Sequence, residues 1–258
     1  MNPKTVAILQ ARVSSSRLPG KVLKPILGNP MLAMQIERVR RCKNIHRLVV
    51  ATSDRPEDEL LVELCQALHV DAFRGSLENT LDRFYQAARQ FGAEHVVRLT
   101  GDCPLADPDI IDEVIRFYFK NECDYASNTL DPTLPDGLDV EVFSFSALER
   151  AWKEAVLPSH LEHATQFIVT QPSVFRLASY RYGRNISGLR WTVDEPADLE
   201  FVRGVYEALY PTKSSFSMSD VLELLEERPE LNAINRHLER NEGLKKSLEE
   251  DKKFLKKE

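Results

Sequence analysis

Three cations, Arg12, Arg17 and Lys21, fall within ten residues near the start of the chain, in the stretch RVSSSRLPGK. Between them lie Ser14, Ser15 and Ser16 and a Pro-Gly turn ending in Gly20. A guanidinium binds phosphate oxygens in pairs and an ammonium adds a compact charge. Hydroxyls and free backbone N–H groups can cradle a polyphosphate. A basic surface loop is the competing reading of the same residues. The stretch is not a G-x-x-x-x-G-K-[ST] phosphate loop, since its lysine follows Pro-Gly with no helix directly behind it. Carboxylates supply a counterpart. LTGDCPL (99–105) places Asp102 after Gly101 at the end of an apolar run, and WTVDEPADLE (191–200) places Asp194 at the end of another. Either aspartate can hold a hard divalent cation such as Mg2+, which takes one or two carboxylates and leaves its other positions to water and phosphate. Each can equally cap a helix, and Glu195 and Asp198 compete with Asp194 for the role or simply favour a helix N-terminus. Two strand-end aspartates facing a basic loop fit metal-assisted chemistry on a nucleoside triphosphate.

The elements that must position these groups alternate in type. TVAILQA (5–11) is a continuous apolar run, as expected of a strand covered on both faces. MLAMQIERVRRC follows Pro30 with helical spacing, RLVVATS (47–53) reads as a strand, and ELLVELCQALH behind Asp54 reads as a helix. DAFRG (71–75), NTLDRFYQAARQF (79–91), HVVRLTGD (95–102) and DPDIIDEVIRFYFK (107–120) continue as strand, helix, strand, helix. Such alternation predicts a Rossmann-like, three-layer α/β/α fold with a mostly parallel sheet, whose ligands bind outside the carboxyl ends of the strands. After residue 124 the rhythm changes. Residues 124–145 carry turn signals at Pro132, Pro135 and Gly137 and read as a small hairpin segment. SHLEHATQFIV (159–169) reads as one helix capped by Ser159, FRLASYRYG and GLRWTVDEP as strands, and residues 196–210 as a helix opened by Pro196. From about residue 217 the chain reads as helical and increasingly charged. The domain division expected is 1–212 for catalysis and 213–258 for a helical C-terminal extension. The last dozen residues carry too little apolar surface to order by themselves.

At 258 residues, 43% hydrophobic and 29% charged, the chain can bury one substantial core. A net charge of −6 argues against general nucleic-acid binding, so any anion site is a local concentration of positive charge. No stretch approaches the roughly 20 apolar residues of a membrane helix, and the N-terminus lacks the pattern of a secretory signal. Cys42, Cys65, Cys103 and Cys123 are widely spaced, without a C-x-x-C pair, which suggests reduced thiols and a cytoplasmic location. Cys103 reads as a small packing residue, with no histidine nearby in sequence to activate it. Arg38, Arg40, Arg41 and Lys43 read as a solvated helix face, and Asp82 and Arg83 as local helix charges.

QARVSSSRLPGK, GNPMLAMQIERV, VVATS, LTGDCPL and VDEPADLE, in that order, resemble the cytidylyltransferases that make CMP-activated acidic sugars, including the CMP-Kdo synthetases. The SpsF-type branch, named for spore coat polysaccharide biosynthesis, is the more similar, since FRGSLENTLDRFYQA, PDGLDVEVFSFSALERAW and LLEERPELNAINRHLERNEG also resemble it. The resemblance implies that Arg12, Ser15, Arg17 and Lys21 wrap the phosphates of CTP, and that Gln10 and Ala11 approach the base. It implies metal binding by Asp102 and Asp194, with Thr100 beside them and Arg74 and Ser76 near the nucleotide. Arg12, Lys21 and Asp102 are then the catalytic group and Mg2+ the cofactor. Where CMP-Kdo synthetases carry Gln-Gly-Asp, this chain has Thr100-Gly101-Asp102, so Kdo itself is not implied.

The second substrate is expected at Asp136, Asp139 and Glu141 of PDGLDVE and at Glu162 and His163 of SHLEHAT, with His160 beside them. Asp136-Gly137 can also be a plain turn, and the His160–His163 pair can bind a metal or hydrogen-bond within a core. The expected activity is transfer of CMP from CTP to a hydroxyl of an acidic or unusual sugar by a homodimer, without nucleic acid or membrane. Two other functions stay open. One is a glycosyltransferase that consumes a sugar nucleotide, and the other a non-catalytic scaffold that retains the nucleotide fold.

Overall fold

A computed structural model describes residues 4–238 and 242–256. The first apolar run forms β1 (Thr5–Gln10), and the basic loop leads to a two-stranded antiparallel hairpin, β2 (Pro25–Ile26) and β3 (Asn29–Pro30). Next come α1 (Met31–Val39), β4 (Arg47–Ser53), α2 (Glu59–Ala67), β5 (Asp71–Gly75), α3 (Thr80–Gln90), β6 (His95–Thr100) and α4 (Pro108–Asn121). The second half contributes β7 (Tyr125–Ser127), β8 (Glu141–Ser144), α5 (Phe145–Glu154), α6 (Pro158–Glu162), α7 (Gln166–Val169), β9 (Leu177–Ser179) and α8 (Pro196–Leu209). The C-terminal extension holds α9 (Met218–Glu227), α10 (Pro229–Ala233) and α11 (Glu242–Phe254).

The main sheet runs β5-β4-β1-β6-β8-β7-β9, parallel throughout except at β8, which pairs antiparallel with β6 and β7. This is the expected mostly parallel sheet, and β1 lies inside it because its run Val6–Leu9 is apolar on both faces. Ala7 and Leu9 of β1, Val50 of β4 and Val97 and Leu99 of β6 join the core on one face, with α1, α4 and α8. Val6 and Ile8, Val49 and Ala51, and Val96 join the core on the other, with α3 and α5. The period-two alternation divides each strand between the two helix layers.

Several expectations change in the fold. Residues 124–145 give β7 and β8 to the main sheet, and the small hairpin sheet is the one at residues 25–30. The single helix expected over 159–169 is two short ones, because His163 leaves helical geometry at φ −110°, ψ 97°. GLRWTVDEP forms no ladder beyond one bridge between Asp136 and Arg190, since its backbone N–H groups are used on neighbouring loops. Arg38 is not solvated: it is 2% exposed, donates to the Ala106 carbonyl and lies 4.2 Å over the Phe216 ring. Arg83 is likewise buried, and its guanidinium donates to Ser76 O and Thr80 Oγ1. The four cysteines are free, and among the described residues no helix is long and apolar enough to cross a membrane.

Candidate functional site

The ends of β1 and β6 approach each other unusually closely. Gly101 N donates to Gln10 O at 2.7 Å, and a Cβ on Gly101 would stand 2.9 Å from both that oxygen and Ala11 Cβ. Only glycine fits there, and the next residue, Asp102, is thereby delivered to the strand end. Asp102 O accepts from Val193 N at 2.7 Å and from Thr192 Oγ1 at 3.3 Å, which brings Asp194 alongside. The same segment is laced to a second loop, since Trp191 N and Thr192 N both donate to Asp136 O. That contact requires Gly137, whose φ is 111° and whose added Cβ would meet Thr192 N at 2.5 Å.

Lys21 enters from the opposite side, on a short helical turn that begins after Gly20 at φ 66°. Its ammonium donates to Asp102 Oδ2 at 2.9 Å, Asp194 Oδ1 at 2.8 Å and Val193 O at 2.8 Å. Burial alone would lower the Lys21 pKa, but the charges of Asp102 and Asp194 outweigh it and hold the ammonium above its ordinary value. For Asp102, burial pushes upward and is outweighed by the Lys21 charge and hydrogen bonds from Lys21, Thr100 and Cys103, so its pKa lies below the carboxylate range. Arg17 adds an ion pair to Asp194 at 2.8 Å and reaches Glu195 at 4.0 Å. Arg12 is exposed, with no ion pair or hydrogen bond among the described residues.

Asp194 has another partner that the sequence reading missed. Arg190, 6% exposed, reaches Asp194 Oδ2 at 3.2 Å, Asp136 Oδ2 at 3.2 Å, and both oxygens of Asp198 at 2.9 and 3.0 Å. Asp198 has no exposed surface and also accepts from the backbone of Asp194 and Glu195. Asn235, from the C-terminal extension, closes the network by donating to Arg190 O at 3.0 Å and Asp198 Oδ1 at 2.9 Å. Asp58 is a further missed anchor. It accepts from Val13 N at 2.7 Å and from Ser53 N at 3.0 Å, tying the basic loop to the end of β4. No local pattern marks Arg190, Asn235 or Asp58, whose partners lie far away in sequence or in an ordinary helix start.

The remaining expected residues divide between this cluster and other places. Ser15 Oγ accepts from Leu18 N within the basic loop, and Thr100 Oγ1 lies 3.2 Å from Cys103 Sγ. Gln10 Oε1 accepts from Arg98, whose guanidinium pairs with Glu141 across β6 and β8. Arg74 is joined to Glu59 and to the carbonyls of Asp54 and Arg55, and Ser76 Oγ accepts from Asn79 N. Asp139 lines a small cavity with Gln35, Thr100 and Cys103. Glu162 and His163 are both hydrogen-bonded to Ser247 of α11, and His163 also feels the charges of Arg98 and Glu141. His160 stands edge-on to Phe167, and burial lowers its pKa and that of His163.

No group of three or more His, Cys, Asp or Glu side chains among the described residues is arranged to hold a metal ion. The pair Asp102–Asp194 nonetheless aims one oxygen from each carboxylate at a single cation, the Lys21 ammonium. Two hard oxygen donors beside a basic loop fit Mg2+, which completes its shell with water and phosphate.

Residues 6–209 match the family described as cytidylyltransferase. The chain is 32% identical over 230 residues to the spore coat polysaccharide biosynthesis protein SpsF of Bacillus subtilis, covering 86% of this chain and 94% of that one. It is 39% identical over 122 residues to 3-deoxy-manno-octulosonate cytidylyltransferase of Geobacter sulfurreducens, covering 45% of each. A solved cytidylyltransferase from Leptospira borgpetersenii superposes with a TM-score of 0.85 at 29% identity, covering 89% of this chain and 97% of that one.

Proposed function

The chain belongs to the cytidylyltransferase family, and from that premise we propose that it transfers CMP from CTP to a hydroxyl of an acidic or unusual sugar, releasing pyrophosphate, in surface glycan synthesis. The observation that carries this reading is the Lys21 ammonium held between Asp102 and Asp194 at the strand ends, with Arg12 exposed two residues beyond β1. The relatives named for spore coat polysaccharide and 3-deoxy-manno-octulosonate support a sugar acceptor.

The acceptor hydroxyl attacks the α-phosphorus, giving up its proton to water, and the bond to the pyrophosphate oxygen breaks in line. Positioning and charge neutralisation supply most of the rate. Arg12 and Lys21 hold the β- and γ-phosphates and stabilise the leaving pyrophosphate, while Ser15 and the loop backbone fix its orientation. Gln10, Ala11 and Thr100 border the nucleoside at the ends of β1 and β6, and Arg74 and Ser76 add nucleotide contacts from the end of β5. Arg190 holds Asp194 in place, and Asp136 and Asp139 stand on the acceptor side. Mg2+, held by Asp102 and Asp194, supplies Lewis-acid polarisation of phosphate oxygen when bound. The same reading includes catalysis within residues 1–212, the extension 213–258 as its brace, a homodimer, and a cytoplasmic location in keeping with the four free thiols.

A screen of the four NTPs against a panel of acidic sugars with Mg2+ tests the reading. Pyrophosphate release with CTP and at least one acidic sugar is expected. Release of free nucleotide from a sugar nucleotide would identify a glycosyltransferase instead, and no nucleotide binding at millimolar concentration would leave only a scaffold.

A further inference from the structure

All three N–H bonds of the Lys21 ammonium are in use, one each to Asp102 Oδ2, Asp194 Oδ1 and Val193 O, at 2.8–2.9 Å. The residue is 8% exposed. An ammonium this fully engaged stands where the two carboxylates converge, which is the point a divalent cation would take. We propose that Lys21 is a displaceable stand-in for that cation, so that cation and triphosphate enter the site together and neither enters well alone. The proposal rests on the nucleotidyl-transfer reading above.

The argument is one of paired costs. A cation arriving alone must expel the ammonium from its three oxygens and leave a buried charge without a partner, which is expensive. A triphosphate arriving alone can draw the ammonium to itself, but then leaves Asp102 without the cation that paired it and Asp194 with only Arg17 and Arg190. When both arrive, the cation neutralises the carboxylates and the phosphates receive Lys21, so each ligand removes the cost of the other. The lysine stem is flexible enough to change partners. Arg190 holds Asp194 Oδ2 from the far side at 3.2 Å, so this carboxylate keeps its orientation when Lys21 leaves Oδ1. Coupling of this kind is reciprocal: CTP strengthens cation binding by the factor with which the cation strengthens CTP binding.

Mn2+ is a suitable probe, followed by electron paramagnetic resonance and calorimetry with acceptor omitted so that CTP is not consumed. Wild type is expected to bind Mn2+ weakly by itself and about tenfold or more tightly with CTP, within the usual range of coupled ligands. Lys21→Met is expected to bind Mn2+ without nucleotide about tenfold more tightly than wild type, with a smaller gain on adding CTP. Lys21→Gln, whose amide still satisfies one carboxylate, replaces it if circular dichroism shows Lys21→Met unfolded. Equal Mn2+ affinities of wild type and variant without CTP, or wild-type Mn2+ binding as tight without CTP as with it, overturn the proposal. Failure of wild type to bind CTP even with Mn2+ is a distinct result, which removes the nucleotide reading itself and this proposal with it.

Discussion

Lys21 is the residue on which the site turns, because its one ammonium bridges Asp102 and Asp194, the latter also paired to Arg17 and Arg190. Burial works against every charge in the group, yet Asp102 is held ionised and Lys21 protonated, since each supplies the other's counter-charge. Arg12 differs in being exposed and uncommitted, so it meets a ligand without first breaking an ion pair. Under the proposed function, Lys21 becomes a contact to the leaving pyrophosphate in turnover. Lys21→Ala is therefore expected to lower kcat by on the order of a hundredfold, as loss of one transition-state charge contact does. A coupled pyrophosphate assay measures it, and unchanged kcat would take Lys21 out of the mechanism.

At the scale of elements, the site depends on two strand ends that nearly touch. β1 and β6 pair in parallel from Thr5↔His95 to Gln10↔Thr100, and the ladder is prolonged by the bond from Gly101 N to Gln10 O. Alanine at position 101 would press its Cβ against backbone oxygen and Ala11 Cβ rather than a movable side-chain tip, so the strand ends must part. Displacing Asp102 by even about 1 Å from its partners can cost on the order of a hundredfold in rate. Gly101→Ala is expected to lose about that much kcat while keeping a native circular dichroism spectrum. Full activity in this variant would show that the close approach does not position the carboxylate. The α9–α10 pair acts on the same site from outside the sheet: it carries Asn235 against Arg190 and Asp198, and Met218 N donates to the buried Asp107.

Across the whole molecule, carboxylates with lowered pKa values lie both where the extension meets the body, at Asp198, and within the extension itself, at Asp220. Burial raises Asp198 but bonds from Arg190, Asp194, Glu195 and Asn235 outweigh it, and Asp220 is pulled to about 2, chiefly by Lys213 and then by Ser217. A depressed carboxylate stabilises the fold above its unfolded pKa of about 4 and loses that contribution as pH falls through its folded value. Lys21, raised in the fold, contributes below its unfolded value of about 10 and loses this as pH climbs through the folded one. The Tm is therefore expected to hold near neutrality and to fall between about pH 4 and 2. Asp220→Asn should lower the Tm at pH 7, with the gap from wild type closing as pH approaches 2. A gap that is the same at pH 7 and at pH 2 would contradict the assignment. α11 is tied separately, through Ser247 to Glu162 and His163 and through Asp251 to Ser159 N on α6.

The sequence by itself determined the strand–helix alternation and the basic loop, because apolar periodicity and the chemistry of Arg12, Arg17 and Lys21 are local properties of a short stretch. It also marked Asp102 and Asp194, each of which ends an apolar run. The tertiary structure alone decided which charges meet. Arg190 gathers Asp136, from 54 positions earlier, with Asp194 and Asp198, while Asn235 reaches back 45 positions to Arg190. Asp58 reaches 45 positions back to Val13, and Arg38 is buried because Ala106 and Phe216 happen to cover it. A buried charge is tolerable only where its partners converge, and that convergence is set by how strands and helices pack, which no short stretch of residues encodes.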